Sequence, residues 1–235
     1  EIMPSLVGSE MCIRDRIQAE HPVLTNEMLS SVLDIYVITA NSPEFTKYDI
    51  FSRLNKGAEK LKVNEIRKAV YRSEALKTIE DYVKANVDMP QYKLIFTPND
   101  IKRYEDYGRF YRSVAYYVCT DDTSNVVKGY NSRPREMIND VLYKLQNKEL
   151  VIPQGVLINI IEQTIQLMIR FSENPAKQYL VDACIHFAVL NPQKLMEKSK
   201  QIEEDIQIVN SLEKSPSTTT NVNLRIKRVN QIMNS

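Results

Sequence analysis

VLINIIEQTIQLMIRF, residues 156–171, carries ten apolar side chains in sixteen positions. Wound at 3.6 residues per turn, those side chains nearly encircle a helix, and a helix that is apolar all round sits at the centre of a domain or in an interface between subunits. The stretch therefore predicts a helical protein built around this segment or assembled through it.

The flanking sequence is read as helices on both sides. Pro134 opens one carrying Met137, Ile138, Val141, Leu142 and Leu145. Asn174-Pro175 and Asn191-Pro192 are start signals for two more, because Asn caps the free N–H groups and Pro fits the first helical position. The second of these runs through Leu195, Ser199, Ile202, Ile206, Val209 and Leu212, whose alternating four- and three-residue steps predict one long helix with a short coiled-coil-like seam. Thr97-Pro98-Asn99-Asp100 opens an aromatic helix through Tyr104, Tyr107, Phe110, Tyr111, Val114 and Val118, and the polar run from Asp121 to Ser132 predicts a loop or a hairpin around Lys128-Gly129.

Nearer the start, helices are expected from the start signal Thr25-Asn26-Glu27 to Ala40, from Thr46 to Leu54, through Ile66, Ala69, Val70 and Ser73, and from Leu76 to Val87. Gln91–Phe96, between prolines 90 and 98, reads as an extended connector and a domain boundary. Ser215–Thr220 reads as a polar linker, and the basic run after it, with Arg225, Lys227 and Arg228 and no acid, as a tail for a partner. The expected fold class is all-α: a helix-turn-helix-like bundle over 17–90, a helical core and oligomerisation domain over 97–213, and a linker with a flexible basic tail over 214–235.

The first sixteen residues, EIMPSLVGSEMCIRDR, have neither period, and PSLVGSEMCIRDR resembles the translation of sequencing-adapter DNA. On that resemblance the native start lies upstream or near Ile17. They lack the basic start, unbroken apolar run and small-residue cleavage site of a secretory signal.

In 235 residues, 43% are hydrophobic and 26% charged, which excludes disorder and collagen. Thirty-one Lys and Arg against thirty Asp and Glu leave a net charge of +1, so any basic surface must be local. The five glycines stand singly at 8, 57, 108, 129 and 155, leaving no phosphate-cradling loop, and three Cys with two His are too few for a closed zinc site without carboxylates. Unclustered cysteines point to a reducing, cytoplasmic compartment, and no run of about 18 uncharged apolar residues suggests a membrane span.

Candidate catalytic groups dissolve on spacing. Cys184 and His186 are two apart on a helix and point to different sides, which favours a core role. Asp121-Asp122, Glu80-Asp81 and Glu203-Glu204-Asp205 read as solvated faces. The expectation is a protein that is not an enzyme and carries no cofactor or metal.

A local charge signal stands out between Thr46 and Lys84. Lys56, Lys60, Lys62, Arg67, Lys68 and Arg72 face only Glu59 and Glu65. A short helix, a turn at Gly57 and a helix with an apolar inner side and basic outer positions are the parts of a DNA-binding helix-turn-helix. The equal alternative is a small helical bundle with a solvated basic face.

The order of parts resembles the small subunit of phage terminases: a first helix ending near Ala40-Asn41, a second opened by Thr46, Asn64–Arg72 as recognition helix, and Leu76–Val83 behind it. The resemblance covers about 70 residues by pattern; Asp49-Ile50 and Asn55-Lys56-Gly57 stand where an Ala-rich helix and an aromatic-Gly turn are expected. It implies double-stranded DNA held by the six basic residues above, self-association through Val156–Phe171 and Leu195–Leu212, the basic tail reaching a large packaging subunit, and residence in a host cytoplasm. The rival expectation is a helical protein scaffold that binds no nucleic acid.

Overall fold

The computed structural model describes residues 21–32, 46, 50 and 62–235. Among these are twelve helices and one two-stranded ribbon, an all-α fold. Helix α1, Pro22–Ser30, lies in a unit of its own. Everything described from Lys62 onward belongs to a second compact unit. The expected division near Gln91 is therefore not a boundary. Most of the expected second helix and the turn after it, with Lys56, Gly57 and Lys60, lie outside the described residues.

In order along this unit run α2 (Val63–Val70), α3 (Glu74–Asn86), α4 (Pro90–Ile95), α5 (Pro98–Lys102) and α6 (Glu105–Cys119). Strands β1 (Thr120–Asp121) and β2 (Val126–Val127) follow, then α7 (Pro134–Gln146), α8 (Gln154–Arg170) and α9 (Lys177–Leu190). The chain finishes with α10 (Pro192–Glu204), α11 (Ile206–Glu213) and α12 (Thr219–Asn234). Helix α9 is the centre: it packs on α6, α8, α10 and α12, and Leu180, Val181, Ala183, Cys184, Ile185, Phe187 and Ala188 are all buried. Helix α8 buries Leu157, Ile160, Ile161, Ile165, Leu167 and Met168 against α3, α4, α6 and α9 while Glu162 and Gln166 face water. The chain's own core thus takes seven of the ten apolar side chains of 156–171, leaving Val156, Ile158 and Ile169 partly exposed.

Several local expectations change. Gln91–Phe96 is not extended: Pro90 at the first helical position starts α4, and burial of Tyr92 and Phe96 holds it against α6 and α8. Thr97 does cap α5, accepting from Asp100 N at 3.2 Å, but the chain turns left-handed at Tyr104 (φ 55°) and the aromatic helix α6 starts afresh at Glu105. The hairpin reverses at Asp122–Asn125, ahead of Lys128-Gly129, with Asn125 in the left-handed region (φ 58°) and Asp121 accepting from Thr123 N and Ser124 N.

The expected single helix from Leu195 to Leu212 is two. Asp205 breaks it by leaving helical geometry and accepting from Gln207 N and Ile208 N, both at 3.1 Å, as the N-cap of α11. Leu195, Ser199, Ile202 and Ile208 then point into the core, whereas Ile206 and Val209 are exposed, so no continuous seam exists.

The expected flexible tail is also corrected. Thr218 caps α12, which buries Val222, Ile226, Val229, Ile232 and Met233 against α9, α10, α11 and β2. Asn230 donates to the Asp122 carbonyl at 2.7 Å and Asn223 accepts from Val127 N at 3.0 Å, so α12 also fastens the hairpin. Five apolar side chains spaced for one helix face outweigh the charge bias that suggested a tail.

Candidate anion-binding cleft

Helix α2 carries the residues expected to read DNA, and its side chains are already committed. Ile66 is buried, and of the helix only Ala69 is exposed. Arg67, expected on the outer face, is 5% exposed; its Nε donates to Asn139 Oδ1 at 2.9 Å and its Nη1 to Asn64 Oδ1 at 3.1 Å. Asn64 in turn donates to Glu105 at 3.0 Å. Lys68 pairs with Glu80 at 3.5 Å and lies over the rings of Tyr104 and Tyr107, 4.8 and 4.6 Å from their centroids. A recognition helix must enter a groove about 12 Å wide with its side chains free. Helix α2 is part of the wall of the domain, so that role is corrected. Lys62 and Arg72 are exposed at its two ends.

Those two ends face different clefts. Lys68 and Arg72 border one of about 750 Å³ floored by Tyr107, Tyr111, Leu76 and Leu145. Lys62 and Arg67 border another of about 760 Å³, where α2 meets the ends of α4 and α5, helices α6 and α7, and the start of α9. Six cations line this second cleft: Lys62, Arg67, Arg109, Arg112, Arg135 and Lys177. Its acids are Asp100, already closing the cap of α5 on Thr97 N at 2.9 Å, and Glu105, bonded to Asn64. Neither Lys62 nor Lys177 has an ion-pair partner among the described residues. In a chain of net charge +1 this is a local excess of positive charge.

Behind the cleft lies a buried ionic cluster that the sequence reading missed. Asp182, on the central helix α9 and 3% exposed, accepts from Arg109 Nη2 at 2.5 Å and from Arg112 Nε at 2.8 Å to Oδ2. Arg109 also donates to the Gln178 carbonyl and to Ser113, both at 3.3 Å. Burial works against the charged carboxylate, but the Arg112 and Arg109 charges prevail and hold Asp182 below the usual carboxylate range. Burial likewise opposes charge on both arginines, lowering Arg109, while Asp182 holds Arg112 above the ordinary value; both remain guanidinium ions. Two positive charges thus share one negative one, and Arg109 Nε is buried with no hydrogen-bond acceptor. A lone Asp between Val181 and Ala183 on an otherwise apolar helix was the available signal, since a buried charge demands a partner.

Gly108 lines the same cleft for a steric reason. A β-carbon there would come within 2.1 Å of Asn64 Nδ2, so the glycine lets α2 close on α6 and positions Asn64 between Arg67 and Glu105.

Comparison with protein-family models, curated proteins and solved structures finds no match. The cleft has to be read from its own chemistry.

The residues expected to meet a partner at the C-terminus are divided. Arg225 is 2% exposed, its Nη1 donating to the Ser211 carbonyl at 3.1 Å and its Nη2 to the Pro216 carbonyl at 2.5 Å, and it lies 5.5 Å from the Tyr179 ring centroid. Arg228 pairs with Asp205 at 2.5 Å. Only Lys227 is exposed. Arg225 and Arg228 fasten α12, and their role as partner contacts is corrected. Cys184 is fully buried and its thiol is pushed up by burial; His186 Nδ1 meets the Tyr117 carbonyl at 3.0 Å, in keeping with core roles for both. Burial pushes Cys119 up to about 11. No helix among the described residues is long and apolar enough to cross a membrane.

Proposed function

We propose that this chain is a non-catalytic nucleic-acid-binding protein that holds its ligand by phosphate contacts along the α2–α6–α7–α9 cleft. One observation carries the reading: six cationic side chains line that cleft, Arg109 and Arg112 sharing the single buried carboxylate of Asp182 behind it, while the two acids of the lining are already bonded. Phosphates are the general source of nucleic-acid affinity, and Lys and Arg supply it without base reading. The burial of Arg67 argues against major-groove insertion by α2, so the contact favoured is one of backbone rather than sequence.

The test is fluorescence anisotropy of a labelled duplex and of its single strand, each at low and moderate salt. Binding that weakens steeply with salt, and that falls at least tenfold in Lys62→Glu/Lys177→Glu, supports the reading. Absence of binding to either ligand at low salt overturns it in favour of a helical scaffold for a protein partner.

The terminase-like version adds a ring and a large packaging subunit. Exposed Ile206 and Val209 on α11 are the apolar residues of the former seam still available to a second copy. A native mass of many subunits would support that version, and a monomer would remove it while leaving the phosphate contacts in place.

A further inference from the structure

The geometry points to a subsite for one phosphoryl group in the wall of the basic cleft, where Arg109 and Arg112 share Asp182 and where Lys177 and Lys62 supply rim charges. It rests on the nucleic-acid reading only for the larger molecule that carries the group; the subsite itself is argued from local charge.

Two guanidinium groups meet a single carboxylate in this wall, leaving one positive charge that no acid neutralises. Arg109, 7% exposed, keeps an Nε–H with no acceptor, a state that costs energy in a buried group and that one more oxygen would relieve. Arg112 spends Nε and Nη2 on Asp182, and its Nη1 makes no hydrogen bond among the described residues. Lys177 opens α9 one residue before Gln178, whose carbonyl takes Arg109 Nη1, and lines the same cleft.

A phosphoryl group suits this wall better than a carboxylate. It brings up to two negative charges and three acceptor oxygens, against a wall whose six cations meet three carboxylates once Asp182 is counted. The cleft, about 760 Å³, has the volume of a small-molecule site, which suits a terminal phosphate.

The test uses the full chain and two kinds of probe. Inorganic phosphate is titrated against chloride at matched ionic strength, following the unfolding midpoint and the heat of binding. A 5′-phosphorylated single strand is then compared with the same strand lacking the phosphate. Lys177→Gln and Lys62→Gln remove charge from rim residues that have no ion-pair partner, so folding is preserved, and circular dichroism checks it.

The expected result is a higher midpoint in phosphate than in chloride, a phosphate affinity lowered about fivefold or more in the double variant, and tighter binding of the phosphorylated strand. Phosphate binding with no oligonucleotide binding leaves the subsite standing and removes the nucleic-acid reading. Oligonucleotide binding that is blind to the 5′-phosphate and to competing inorganic phosphate does the reverse. Equal midpoints in phosphate and chloride, or equal phosphate affinity in wild type and double variant, overturn the subsite.

Discussion

Arg109 Nη2 lies 2.5 Å from Asp182 Oδ1 with 7% and 3% of the two side chains exposed, joining α6 to the central helix α9 inside the core. A buried carboxylate that satisfies two guanidinium groups is hard to replace singly, because its loss leaves both cations without compensation. Asp182→Ala is expected to destabilise the fold by about 3–5 kcal/mol, the range for breaking a buried pair from one side. Urea unfolding measures it; a midpoint within error of wild type would show that the cluster carries no such weight.

The acid limb of stability should reveal two carboxylates working in opposite directions. Asp182 has its folded pKa depressed, so its contribution is present above the unfolded value near 3.9 and is lost as pH falls through the lower folded value. Asp106, fully buried, is raised by burial despite the hydrogen bond from Tyr92 Oη at 2.6 Å. Its contribution is complete below the unfolded value and is lost as pH rises through the raised folded one. Asp106→Asn should therefore hold or gain stability at neutral pH and flatten the decline just above pH 4. Thermal midpoints across pH 3–8 check this, and a variant less stable at pH 7 but unchanged at pH 3 would contradict it.

Arg67 and Arg72, equivalent in a helix-turn-helix reading, should separate. Arg67→Ala removes bonds to Asn64 and Asn139 from a site 5% exposed and is expected to cost about 2–3 kcal/mol. Arg72→Ala, on an exposed residue, should stay within about 0.5 kcal/mol. Equal effects on stability in chemical denaturation would return Arg67 to the surface role.

What was legible in the sequence follows from which signals are local. Capping is local: Thr97-Pro98 and Asn191-Pro192 start helices where they stand, with Asn191 accepting from Lys194 N at 3.2 Å. The all-α class and the burial of Leu157, Ile160 and Ile161 follow likewise from periodicity. Non-local events were invisible. Nothing near Arg67 says that Asn139, seventy-two residues on, will receive it, and a basic count over a window cannot distinguish a solvated arginine from one turned inward. Asp205 shows the opposite failure: an apolar heptad-like count hid a residue whose side chain caps better than it propagates a helix. The cleft itself assembles residues from 62 to 178 and appears in no window of sequence.

Gly108→Ala sets two effects against each other. In an exposed helix interior the exchange gains about 1 kcal/mol. Here the new methyl group meets Asn64, itself 7% exposed and held by Arg67 and Glu105. Asn64 can make way only by giving up its bonds to Arg67 and Glu105, so the substitution is expected to destabilise by about 1–2 kcal/mol. In an Asn64→Ala background the obstacle is gone and the same change should become neutral or stabilising. A double-mutant cycle without coupling would show that the close approach is not what glycine serves here.

Helix α12 offers the sharpest distinction between a tail and a core element. Deleting residues 219–235 strips Val222, Ile226, Val229, Ile232 and Met233 from the central helices, leaving their apolar neighbours open to water. Each such side chain contributes about 1.5–3 kcal/mol by burial, so the truncated chain should lose cooperative unfolding or aggregate. Within the helix the three basic residues should rank by burial. Arg225→Ala leaves the Ser211 and Pro216 carbonyls without their donor and should cost about 3 kcal/mol, Arg228→Ala, which breaks the partly exposed Asp205 pair, about 1 kcal/mol or less, and Lys227→Ala almost nothing. A truncated chain that unfolds with the wild-type midpoint would restore the tail. Arginine variants indistinguishable from the Lys227 variant would show that Arg225 does not hold the helix in place.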